Sequence, residues 1–174
     1  MPSLLLPILR TFWEICLLRL GPQDLPASPL LAALATAAYL LVGWLLGLVR
    51  LPAGQAFLAS LLDTLLLAVL ARIVLWVRDL GRRFLQTYTA LAGSGAVLGL
   101  VILPVLLWEG RGGTGEAAAL LPLLLLAWTV WGLVVMAHIL RHALGIRFVT
   151  AVGLSLVYLY LALRVVRAVL GPAA

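Results

Sequence analysis

The chain has 174 residues, 65% of them hydrophobic and 10% charged, against about 45–50% and about 25% in a soluble domain. That much apolar surface would aggregate in water, so the composition excludes a soluble globular protein and requires a lipid cover. The formal charge of +6 comes from twelve arginines and no lysine against six acids; these arginines sit at the ends of apolar runs, where they anchor to headgroups and set orientation, so no nucleic-acid partner is expected.

The apolar run at 7–20 reads as a short helix closed by Gly21 and Pro22, in the usual order of stop signals. It rises only about 21 Å, short of a hydrocarbon core of roughly 30 Å. Ile8, Phe12, Ile15 and Cys16 share one side, opposite Arg10 and Glu14. The helix is therefore expected to lie in the interface with Trp13 near headgroup level, although the same apolar side would suit a partner helix. Arg10, Glu14 and Arg19 interrupt the run and no basic start precedes it, which is unlike a secretory signal. Cys16 is the single cysteine and has no internal disulfide partner.

Five longer apolar runs follow, at about 28–49, 55–77, 88–108, 117–140 and 148–170. The first opens on Ser28 and Pro29, an N-cap before proline at the first helical position. Gly43 and Gly47, then Gly95 and Gly99, have the spacing that lets apolar helices approach closely. Pro104 should bend the third span, and the glycine-rich stretch from Glu109 to Gly115 reads as a plain connection, since no phosphate-binding lysine motif follows it. The expected fold is an all-α, polytopic transmembrane helical bundle. Residues 1–27 form an interfacial amphipathic helix and linker, and 28–174 the five-span bundle.

Asp63 is the sharpest single feature, because it falls well inside the second span. An acid near the bilayer centre costs about 2.5–3.5 kcal/mol, while each Leu, Ile, Val or Phe returns about 0.3–0.6 kcal/mol. The thirteen such residues in that span make insertion feasible, but Asp63 should face protein or water. Ser60, Asp63 and Thr64 share one helix face at i, i+3 and i+4. Three readings of that stripe are open: a hydrogen-bond network that fixes packing, a proton or ion path, and a contact with a partner subunit.

A second group is cationic. Arg78, Arg82, Arg83, Arg141, His142 and Arg147 lie in connections that share one end of a five-span bundle, and would make an anionic-lipid or headgroup site there. His138 and His142 have i, i+4 spacing, but the residues between them are Ile139-Leu140-Arg141. The glutamate of a zinc-protease helix is missing, and Arg141 would repel a cation, so no metal is expected. No cofactor motif and no nucleophile–base constellation is visible, and an enzyme is not expected.

If the N-terminus is cytoplasmic, Arg10, Arg19, Arg72, Arg78, Arg82, Arg83, Arg141 and Arg147 fall on or toward that side, and Arg50, Arg111, Arg164 and Arg167 toward the other. Eight against four predicts N-in and C-out. Exclusive use of arginine, with abundant Ala, Leu and Gly, points to a GC-rich bacterial source and hence an inner membrane. The short amphipathic segment ending in Gly21-Pro22-Gln23-Asp24-Leu25-Pro26, followed by five closely spaced spans, resembles small bacterial Yip1-like membrane proteins in layout. The Asp-Leu-x-Gly-Pro element of eukaryotic relatives is not matched. The resemblance implies an integral bundle acting through lipid or protein contacts, and carries over no functional residue. The expected role is a non-enzymatic accessory or assembly subunit, with the bilayer and a membrane-protein partner or second copy as its contacts. The alternative is a small oligomeric transporter or lipid-handling protein that uses Asp63 as its coupling residue.

Overall fold

The computed structural model describes residues 2–110 and 116–171. Among these, the α-helices are α1 (Pro2–Cys16), α2 (Pro29–Gly47), α3 (Ala53–Val77), α4 (Phe84–Gly110), α5 (Glu116–Leu144) and α6 (Phe148–Leu170), with 3-10 turns at Pro22–Asp24 and Gly81–Arg83 and no strand. Helices α2 to α6 are each long and apolar enough to cross a bilayer, and the chain is a multi-pass, all-helical membrane protein. Residues 111–115 of the expected glycine-rich connection lie outside the described residues.

Local signals set most boundaries. Ser28 Oγ accepts from the Leu31 N–H at 3.3 Å and starts α2 before Pro29. Gly145 ends α5 at φ 64°, with its N–H on the Arg141 carbonyl at 3.0 Å. Helix α4 begins at Phe84, ahead of the apolar run, because Gln86 and Thr87 form a polar first turn that hydropathy does not count.

Helix α1 departs from the expected 7–20. It ends at Cys16 because Leu18 takes a left-handed φ of 63°. The Arg19 N–H reaches back to the Glu14 carbonyl at 2.9 Å and the Leu18 N–H to that of Ile15 at 2.9 Å, the paired bonds of a Schellman stop. A leucine in this conformation costs roughly 1–2 kcal/mol, so the glycine-based reading put the helix end four residues too late. Asp79, at φ 54°, ends α3 the same way, with Leu80 N–H on the Leu75 carbonyl at 2.8 Å.

The apolar side of α1 meets protein. Phe12, Ile15 and Cys16 are buried, and the Phe12 ring occupies the space that a Cβ on Gly93 of α4 would need. The Cys16 thiol points at the Ser94 carbonyl, 3.6 Å away, and burial pushes its pKa from 9.0 to about 11. Trp13 stays exposed. Helix α1 therefore packs its apolar side against α4.

Helix α4 is the hub, packing against α1, α2, α3 and α5. Gly43 and Gly47 of α2 lie against Ser60 and Ala56 of α3, while Gly95 and Gly99 of α4 lie against Tyr39 and Val42 of α2. Both glycine pairs thus serve internal contacts. At one end, Arg50 Nη2 bonds both Glu109 carboxylate oxygens at 2.7 and 3.0 Å, tying the α2–α3 connection to α4. At the other, Gln86 Nε2 donates to the Leu25 carbonyl at 2.9 Å and Arg83 Nη1 to the Ala143 carbonyl at 3.1 Å. This second end, which gathers the α1–α2, α3–α4 and α5–α6 connections, is called the α1 end below.

Candidate functional site

Asp63 sits midway along α3, and its carboxylate faces two tyrosines from other helices. Tyr39 of α2 donates to Oδ2 at 2.6 Å and Tyr158 of α6 donates to Oδ1 at 2.6 Å. The two phenol oxygens are 3.3 Å apart. A tyrosine hydroxyl in an apolar span needs a partner, and Asp63 supplies one to each. Hydrogen bonds to an ionised group contribute about 1.5–3 kcal/mol each, so two are of the size needed to offset the roughly 2.5–3.5 kcal/mol insertion cost of the acid.

The polar stripe read from the sequence divides. Ser60 Oγ donates to the Leu40 carbonyl of α2 at 2.7 Å, and Thr64 Oγ1 donates to the Ser60 carbonyl at 2.7 Å. Both are buried and satisfied by backbone, and neither bonds Asp63. Ser60 holds α3 to α2; Thr64 is a helix-internal bond. The partners that sequence reasoning missed are Tyr39 and Tyr158.

Two spaces flank the centre. Gly43, Ala59, Ser60, Asp63, Ala162 and Arg167 contribute to an open cleft of about 320 Å³ between α3 and α6, with α2 as its floor. Tyr39 and Tyr158 line a second, half-open pocket of about 130 Å³ among the helices, with Ser94, Gly95, Gly132 and Met136. Asp63 is on the wall of the first and the tyrosines are on the wall of the second, so the hydrogen-bonded triad lies between them.

The cationic residues at the α1 end also divide. Arg83 and His142 line one cleft of about 350 Å³, together with Pro22, Gln23, Gln86 and Thr87. Arg78, Arg82, Arg141 and Arg147 are exposed at the same end but not on that wall. His138 is buried with Nε2 3.0 Å from the Leu20 carbonyl, and His142 Nδ1 is 2.8 Å from the His138 carbonyl. The two rings lie 4.3 Å apart. Each ring thus spends a nitrogen on backbone, and among the described residues no group of three or more metal-ligating side chains occurs. Arg72 lies over the Phe84 ring at 5.5 Å, a cation–π contact at the end of α3.

Comparison with protein-family models, with curated proteins and with solved structures finds no match to this chain. The functional reading therefore stands on the geometry of these sites.

Proposed function

We propose that the chain is a small transport or lipid-handling protein of the inner membrane, N-terminus in the cytoplasm, in which Asp63 is the coupling group. The observation that carries this is the placement of the carboxylate: both oxygens take 2.6 Å hydrogen bonds from tyrosines on two different helices, between a lateral cleft and a second, half-open pocket.

The triad has two self-consistent hydrogen-bond patterns. With Asp63 ionised, both phenols donate to it and their oxygens merely touch. With Asp63 protonated, its O–H donates to one tyrosine oxygen. That tyrosine then turns its own hydrogen to the other phenol, which still donates to the remaining Asp63 oxygen. The three groups close into a ring without any buried group losing its partner. Gain or loss of one proton thus changes what α2 and α6 are tied to, which is the two-state element that coupling requires. In the cleft, an acid at depth and Arg167 along the same apolar wall complement an amphiphile or small solute carrying both charges.

Reconstitution into proteoliposomes with a trapped pH indicator tests this. Wild type should carry protons under an imposed potential, and Asp63→Asn, at equal folded protein, should not. Equal flux from both, or none from wild type, would remove Asp63 as a coupling group. The accessory-subunit role is the alternative then left, and a stoichiometric partner on co-purification is its mark.

A further inference from the structure

The α1 end holds a polar cleft that the Asp63 centre does not use. Its wall is built from the α1–α2 connection (Pro22, Gln23), the start of α4 (Arg83, Gln86, Thr87) and the last turn of α5 (His142). We propose that this cleft binds a phosphate group, carried by an anionic lipid headgroup or by a soluble phosphate.

Four observations converge on that chemistry. Thr87 is 1% exposed, and its Oγ1 has no hydrogen-bond partner among the described residues. An orphaned buried hydroxyl costs about 1–3 kcal/mol unless something fills its valence, and of the two hydroxyls in this state, on Thr87 and Thr89, Thr87 is the one on the wall of this cleft. Arg83 uses one N–H on the Ala143 carbonyl and keeps the rest of its donor fork, a geometry suited to phosphate oxygens. The His142 Nδ1–H donates to the His138 carbonyl, which leaves Nε2 at the opposite edge of the ring as an acceptor for a hydroxyl carried by the ligand, such as a headgroup hydroxyl or a protonated phosphate oxygen. Finally, among the described residues the wall carries no carboxylate; Asp24, adjacent in sequence to Gln23, turns its Oδ2 onto the Gly21 N–H at 2.8 Å.

The location fits as well. The cleft lies where the apolar spans α4 and α5 meet their connections, at headgroup depth. Exposed Arg78, Arg82, Arg141 and Arg147 at the same end add a positive field that draws anions toward it. About 350 Å³ is within the range of small-ligand sites.

Calorimetric titration of the purified full chain in neutral detergent tests the site, with dioctanoyl phosphatidylglycerol, dioctanoyl phosphatidylcholine and inorganic phosphate as separate probes. Saturable binding of phosphatidylglycerol without inorganic phosphate marks a lipid-headgroup site. Saturable binding of inorganic phosphate marks a soluble one. In either case Arg83→Gln should weaken binding about tenfold or more and Thr87→Val about three- to tenfold. Thr87→Val keeps the fold, because the hydroxyl it removes bonds nothing in the protein, and Asp63→Asn should leave binding unchanged. Absence of saturable binding by both anions would overturn the site. So would phosphatidylcholine binding equal to phosphatidylglycerol, or wild-type affinity in both cleft variants.

Discussion

The two polar sites of this bundle are built on opposite terms. At Asp63 every oxygen is used: two phenols meet two carboxylate oxygens, and the groups lie among α2, α3 and α6. In the α1-end cleft, Thr87 has no partner and Arg83 has one carbonyl to share among its donors. A polar group saturated by protein can fix structure or change state as a unit. One with capacity left over waits for something that is not protein. The contrast underlies the two proposals, a proton switch at Asp63 and an anion site at the α1 end.

The largest expected effect comes from stripping the saturated site. Tyr39→Phe with Tyr158→Phe leaves an acid unpaired among helices, and should lower unfolding free energy by about 3–5 kcal/mol in a detergent denaturation series. Adding Asp63→Leu to that pair should restore much of the loss, since an apolar triad needs no donors. If the double variant is as stable as wild type, the tyrosines do not hold the acid.

Next is the packing that carries α1 over the N-terminal half of α4. Gly93→Leu drives a side chain into the Phe12 ring and should cost about 1–3 kcal/mol. It should also free Cys16 for maleimide labelling, which wild type resists. The same thiol gives a pH signature. Its folded pKa of about 11 lies above its ordinary 9.0. Its contribution to docking is therefore fully present below pH 9.0 and lost as pH rises through 11. Labelling that is already complete at neutral pH would place Cys16 outside the packed interface.

At the unsaturated site the expectation reverses. Thr87→Val should be neutral or stabilising by up to about 1 kcal/mol without ligand, while anion affinity falls. A clear loss of stability would mean that Oγ1 has a structural partner. Smallest of all is Glu109→Gln at the far end. Arg50 is mostly exposed, so breaking the pair should change stability by less than about 1 kcal/mol, and more than that would make it a clamp on the α2–α3 connection.

The sequence was legible where the physics is local. Five apolar runs became α2 to α6, Ser28 and Pro29 began a helix, and Asp63 stood out because an acid in an apolar run has a known cost. Counting connections also placed Arg83 and His142 at one end. What could not be read depends on which helices meet. Tyr39 and Tyr158 lie 24 and 95 positions from Asp63, and nothing in one apolar span says which face another will present. Leu18 in a left-handed conformation is invisible to rules that look for glycine. Nothing in the sequence distinguishes Thr87, whose hydroxyl is buried with no hydrogen-bond partner among the described residues.

The central claim is that Asp63 and its two tyrosines change hydrogen-bond pattern with one proton. Infrared difference spectroscopy of the reconstituted protein, stepped through the pH range in which it stays folded, reads this directly. A single protonated-carboxyl C=O band should appear on acidification, vanish in Asp63→Asn, and shift in Tyr39→Phe and in Tyr158→Phe, with a tyrosine ring mode moving in step. No Asp63-dependent band, or one indifferent to both tyrosines, would contradict the switch and leave the triad as a fixed brace among three helices.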